Sequence, residues 1–385
     1  MNERSFLVVA GESSGDAHAA ELVEALNARF HGACRFWGSG GGEMRAAGVE
    51  LLMDVDRLAA VGPREALSHW RNYWSLFRKL QREARIRRPE LAILVDFPEF
   101  NLRLARRLKR MGIPVCQYIG PQVWAWRASR LKQISRFVDL MLVILPFEED
   151  YYRKRGVKAY YVGNPTAARL HGSRRPEKDG GDPRVVALLP GSRRREVERI
   201  LPVQLQAAEF IAQRVRSRFL VVKAPAIDES LLSGLIQLNA GARSKELRVE
   251  IWKQGSQSAL SQADCAIVKS GTSTLEAAML GVPFAMVYRL SGWSRLLLSP
   301  WIRTDTYCLA NLVAGKRIVP EFVQEDAKPE EIGKFLVRLL TEPELAEEMR
   351  RGLQTVAERL GDSAGPERAA ARIESFLARI FHTAP

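Results

Sequence analysis

Short apolar runs alternate with helical patterns along most of the chain. Ser5–Ala10, Leu91–Asp96, Val115–Ile119, Leu140–Leu145 and Tyr160–Val162 predict strands in the first half. Val185–Leu189, Phe219–Val222, Val249–Trp252, Cys265–Val268 and Phe284–Tyr288 predict them in the second. The runs are rich in Val, Ile and Leu and lack polar alternation, as strands buried on both faces of a parallel sheet do. Between them, Leu22, Leu26 and Phe30 recur at helical spacing, and Arg103–Arg110 and Glu196–Gln213 also read as helix. Such alternation argues for parallel sheets with right-handed crossovers.

The stretch Ser173–Pro183 is polar and rich in Gly and Pro, and reads as a linker. After Pro329 the pattern turns helical to the end, with breaks at Pro343 and Gly361–Pro366. The predicted class is therefore α/β, with two Rossmann-like domains facing a cleft. They cover residues 1–172 and 184–343, joined by the linker 173–183. The C-terminal helices 344–385 either pack on the first domain or exchange between subunits of a homodimer. Ligands in such sheets bind at the carboxyl ends of the strands, so the loops there hold the candidate chemistry.

Composition narrows the classes. Of 385 residues, 46% are apolar, too many for a disordered chain. The longest apolar runs fall far short of the roughly 20 residues that span a bilayer. No export signal is visible, so a cytoplasmic protein is expected. Cys34, Cys116, Cys265 and Cys308 lie far apart, and the five histidines show no ligand spacing. Neither a disulfide framework nor a metal site is expected.

The formal net charge is +14, and residues 64–110 carry 13 basic side chains against 5 acidic ones. That excess attracts phosphate, whether on nucleic acid, anionic lipid or a phosphorylated substrate. No nucleic-acid motif accompanies it.

Several loops could carry chemistry. Gly11-Glu12-Ser13-Ser14-Gly15-Asp16 joins a strand to a helix and reads equally as a binding loop or as a tight turn capped by Asp16. Gly38–Gly42 reads as a flexible turn. Asp96 closes a strand and is placed to act as a general base. Val123-Trp124-Ala125-Trp126-Arg127 puts two tryptophans and an arginine after another strand, where one indole lines a cavity or both pack in the core.

Gly191, Ser192 and Arg193 offer N–H groups, a hydroxyl and a guanidinium at a helix N-terminus, a layout that suits phosphate. Ser270, Gly271 and Thr272 repeat the theme. Glu276, one turn further on, can bind a ribose diol. Asp54-Val55-Asp56 matches a metal-site pattern but reads as structural. Leu67, Trp70, Trp74 and Phe77 form a helical stripe flanked by Arg64, Arg71, Arg78, Lys79, Arg82 and Arg85, and it faces either a membrane or the core. The apolar segment Gly292–Arg303 poses the same question.

In that order, the Gly11–Asp16 loop, Asp96–Asn101, Val123–Arg127, Pro190–Arg193, Ser270–Thr272 with Glu276, and Asn311–Gly315 closely resemble bacterial lipid-A-disaccharide synthases. The resemblance runs from about residue 5 to 340. It implies a glycosyltransferase B fold. It also implies metal-free, inverting transfer of 2,3-diacylglucosamine from its UDP conjugate to 2,3-diacylglucosamine 1-phosphate. The product is the β(1→6) disaccharide 1-phosphate, and UDP is released at the inner face of the cytoplasmic membrane.

By position, Asp96 matches the family's candidate base, with Asp16 and His18 as rivals. Arg193 with Ser192 matches the pyrophosphate loop, Glu276 the nucleotide carboxylate, and Asn311 the asparagine near the donor. Trp70, Trp74, Arg78, Trp124, Trp126 and Arg127 are assigned to the acceptor and the anionic membrane surface. Glu99 stands where the family commonly has Asp, and Ala310 where Pro often precedes the asparagine. A UDP-N-acetylglucosamine 2-epimerase, a peptidoglycan sugar transferase and a non-catalytic basic docking protein are the alternatives.

Overall fold

The structure is a computed structural model that describes residues 3–11, 13–54, 66–124, 128–172, 183–240, 247–289, 306–362 and 364–382. The chain forms two compact units, residues 1–165 with 363–385, and residues 166–362. The linker 173–183 falls outside the described residues except for Pro183, as does the segment Gly292–Arg303.

The first unit is built on seven parallel strands: β1 Arg4–Val9, β2 Cys34–Gly40, β3 Glu50–Asp54, β4 Leu91–Val95, β5 Val115–Tyr118, β6 Leu140–Val143 and β7 Ala159–Tyr161. Their order is β3-β2-β1-β4-β5-β6-β7. Alternate side chains of the central strands enter different layers, as the pleat requires. Phe6, Val8, Leu91, Ile93 and Val95 pack with Leu22 and Leu26 of helix Ser13–Arg29 and with Ile373 and Leu377 of helix Gly365–His382. Leu7, Val9, Ala92 and Leu94 pack on the other face with Leu76 and Leu80 of helix Ala66–Arg87 and with Leu104 and Leu108 of helix Pro98–Arg110.

The second unit has six parallel strands: β8 Arg184–Leu189, β9 Ser217–Val222, β10 Arg248–Trp252, β11 Cys265–Lys269, β12 Phe284–Tyr288 and β13 Glu321–Val323. Their order is β10-β9-β8-β11-β12-β13. The two-domain α/β expectation thus matches the fold.

Two expectations change. Gly38–Gly42 is no flexible turn, because Gly38 and Gly40 lie inside β2. A Cβ on Gly38 would sit 1.8 Å from the Val8 carbonyl oxygen, and one on Gly40 would sit 2.2 Å from Met44 Sδ. These glycines allow close backbone packing. The C-terminal helices also part company. Helix Pro343–Leu360 buries Met349, Leu353, Val356 and Leu360 within the second unit, and only Gly365–His382 joins the first.

Candidate active site

In the second unit, two loops leave the carboxyl ends of the adjacent strands β8 and β11. The first turns at Gly191 (φ 121°) into helix Arg194–Ala212, with Arg193 as N-cap. The N–H groups of Ser192 and Arg193 donate to Glu196 Oε2 at 3.3 and 3.4 Å. The Arg193 side chain is 76% exposed.

In the second loop, the Ser270 hydroxyl donates to the Tyr307 carbonyl at 2.7 Å, and the Thr274 hydroxyl to the Gly271 carbonyl at 2.8 Å. Glu276 lies in the first turn of helix Ser273–Met279 and accepts from Arg169 Nη2 at 3.4 Å. Lys269, the last residue of β11, ties the loops together, because its Nζ lies 3.0 Å from Glu196 Oε1.

Asn311 is buried, and its amide is fully engaged. Nδ2 donates to the Val319 carbonyl and to Glu321 Oε1, both at 2.8 Å, while Oδ1 accepts from the N–H groups of Ile318 and Val319, both at 2.9 Å. An amide has two N–H groups and two acceptor lone pairs, so no capacity is left for a substrate. Glu321 in turn accepts from the Tyr307 and Cys308 N–H groups. Asn311 therefore supports the Tyr307 segment that receives Ser270. The expected place of Asn311 near the donor thus falls on a buried amide bonded within its own unit.

In the first unit, Asp96 directly follows β4. Asp96 (φ 47°) and Phe97 (φ 45°) both adopt the left-handed region, which costs on the order of 1–3 kcal/mol for each non-glycine residue. Two buried amides hold this turn. Asn101 Nδ2 donates to the Asp96 carbonyl at 2.8 Å and Gln117 Nε2 donates to it at 3.2 Å. The turn aims Phe97 at the first glycine loop, where a Cβ on Gly11 would come within 2.2 Å of Phe97 Cδ1. Gly11 makes room for that ring.

Beside the turn runs a groove of about 270 Å³, lined by Tyr73, Trp74, Phe77, Phe97, Glu99, Phe100 and Arg103. Phe97 stacks on Phe100 at 5.3 Å, and Trp74 on Phe77 at 5.6 Å. Trp74 is 46% exposed, and the Arg78 guanidinium lies 5.4 Å from its ring centroid.

Helix Ala66–Arg87 thus divides its apolar side chains, with Leu76 and Leu80 facing the core and Trp74 the groove. Its cations divide too. Lys79 donates to the Leu52 carbonyl at 2.8 Å, and Arg87 pairs with Glu50 and Glu83. Both strap the helix to its own unit, whereas Arg78 is exposed. Arg64 and the Trp70 side chain fall outside the described residues.

Trp124 is anchored. Its Nε1 donates to Glu148 Oε1 at 2.9 Å, and its ring meets Phe147 edge-on. Glu148 is buried, and burial pushes its carboxyl up to about 7. Ala125, Trp126 and Arg127 lie outside the described residues.

The rival bases sit differently. The buried Asp16 carboxylate accepts from the N–H groups of Gly41, Glu43 and Met44 at 2.6, 2.9 and 3.3 Å. It caps helix Gly42–Ala46 rather than its own helix, and three of its roughly four acceptor sites are taken by these bonds. His18 Nδ1 lies 3.6 Å from Glu21 Oε2. Asp54 pairs with Arg45 at 2.6 Å, and Asp56 falls outside the described residues.

The profile of the Lipid-A-disaccharide synthetase family matches residues 6–373. The chain belongs to this family. The lipid-A-disaccharide synthase of Syntrophus aciditrophicus is 40% identical over 383 residues, covering 96% of this chain and 97% of that one. The solved UDP-GlcNAc 2-epimerase of Neisseria meningitidis, bound to UDP-GlcNAc, has a TM-score of 0.63 at 13% identity and covers 97% of this chain and 100% of its own. The calicheamicin glycosyltransferase CalG4 has a TM-score of 0.60 at 17% identity, with both chains fully covered. These two share the fold of this lipid-A-disaccharide synthetase family member.

Within that family frame, the structure adds residues the sequence pattern did not single out. Glu196, Lys269, Glu148, Asn101 and Gln117 gain their roles from partners remote in sequence or from burial. Only Glu196, three residues past a helix N-cap, carries a local signal, that of a glutamate at N3 reaching back to the N-cap N–H. Glu99 pairs with Arg130.

Proposed function

We propose that the protein transfers 2,3-diacylglucosamine from its UDP conjugate to the 6-hydroxyl of 2,3-diacylglucosamine 1-phosphate. The acceptor oxygen attacks the donor's anomeric carbon and the bond from that carbon to the UDP oxygen breaks. Asp96 takes the hydroxyl proton, and UDP leaves with the electron pair. The loops of Gly191–Arg193 and Ser270–Thr272 meet the charge that develops on UDP, and Glu276 takes the ribose.

The observation that carries this reading is the groove at the Asp96 turn. Asp96 directly precedes Phe97, whose ring forms part of an apolar wall with exposed Arg78 and Arg103 close by, and this neighbourhood supports the assignment of the base. Apolar wall and cations together match an acylated, phosphorylated sugar. Among the described residues no helix is long and apolar enough to cross a membrane. The reading places the protein peripherally on the inner face of the cytoplasmic membrane, where it meets lipid substrates.

The test is incubation with both acylated substrates. Equimolar tetraacyl disaccharide 1-phosphate and UDP are expected. Conversion of UDP-N-acetylglucosamine alone, or no UDP release, contradicts the reading.

A further inference from the structure

The Gly191–Arg193 loop already grips an anion, and that anion belongs to the protein. Glu196 Oε2 accepts from the Ser192 and Arg193 N–H groups, which otherwise are orphan donors at the positive end of a helix. A Cβ on Gly191 would lie 2.6 Å from the same oxygen, so the loop closes around the carboxylate only because Gly191 has none. The other carboxylate oxygen pairs with Lys269 Nζ at 3.0 Å. Lys269 side-chain exposure is 22% and that of Glu196 is 21%, so solvent screens this pair less than a surface pair. Lys269 Nζ also lies 3.5 Å from where a Cβ on Gly271 would stand, at the turn of the second loop.

We propose that Lys269 is a diphosphate-binding cation and that Glu196 is an internal anion competing with the diphosphate for the same N–H groups and the same lysine. The inference rests on the assignment of these loops to UDP. A diphosphate and a carboxylate at the same donors repel each other. Binding therefore requires Glu196 to turn away, and Lys269 exchanges a carboxylate partner for a phosphate. Part of the intrinsic affinity is spent on that exchange, as when a binding-competent state is only fractionally populated. The arrangement ties tight UDP binding to movement of one side chain and favours product release after transfer.

Calorimetric titration with UDP and with uridine tests this. Lys269→Ala is expected to weaken UDP binding about tenfold or more, as loss of a charge-assisted bond does. Lys269→Arg should restore most of it. Glu196→Gln keeps the shape and an acceptor oxygen but removes the charge, and should tighten UDP binding about three- to tenfold. Uridine, which carries no phosphate, should bind all variants alike.

Arg193→Ala serves as the control. If it binds UDP as tightly as the native protein, the loop assignment fails and the proposal with it. If Arg193→Ala is weakened while Lys269→Ala is unchanged, or Glu196→Gln is weakened, only the proposal fails.

Discussion

Glu148 shows how one buried side chain links acidity, stability and loop position. Its native carboxyl holds its proton to about pH 7, because burial penalises the charged form. In the unfolded chain the proton leaves near the usual value of 4.5. Its contribution to stability is therefore full below about pH 4.5 and is lost as pH rises through 7, by roughly 3 kcal/mol in all. Glu148→Gln keeps an acceptor for the Trp124 indole and removes the titration. Urea unfolding at pH 5 and pH 8 should show the native protein losing stability relative to the variant as pH rises. Parallel pH profiles would rule this out. The sequence marks Trp124 but not Glu148, whose role depends on its burial in the first turn of helix Pro146–Arg153 against the Trp124 indole. Asp96, Arg193 and Glu276 are legible as candidates because loops that follow buried strands are where α/β ligands bind.

At the scale of elements, strands with continuous Val, Ile and Leu stand out in the sequence, and the final helices are marked by Pro343 and Gly361. Three strands do not stand out. β2 carries two glycines, β3 begins and ends on carboxylates, and β13 has three residues. Each owes its place to neighbouring strands rather than to local propensity.

Helix Ala66–Arg87 was readable as an amphipathic stripe, but which side chain faces which surface depends on the sheet beneath. Leu80 is completely buried, so Leu80→Ala should cost about 2–5 kcal/mol in urea unfolding. Trp74→Ala should cost under about 1 kcal/mol yet reduce flotation with anionic vesicles. If the vesicle binding of Trp74→Ala is unchanged, the groove side of this helix does not meet lipid.

At the scale of the whole molecule, the alternation of strands and helices was enough to predict two α/β domains. It left the C-terminal helices two alternatives, packing on the first domain or exchange between subunits, and in the structure only the last helix joins the first unit. Ala369, Ala370, Ile373 and Leu377 form an ordinary amphipathic pattern, and only the three-dimensional core shows that they cover Leu22 and Leu26. The chain thereby divides its candidate site residues between the units. The unit that contains both termini carries Asp96 and the aromatic groove, and the other carries the phosphate-type loops.

This division of labour is tested most directly by the initial rate of disaccharide formation by Asp96→Ala, measured alongside its UDP affinity. The account predicts a rate lower by about 10²- to 10⁴-fold with native UDP affinity. A near-native rate, or a loss of UDP binding that matches the loss of rate, would contradict it.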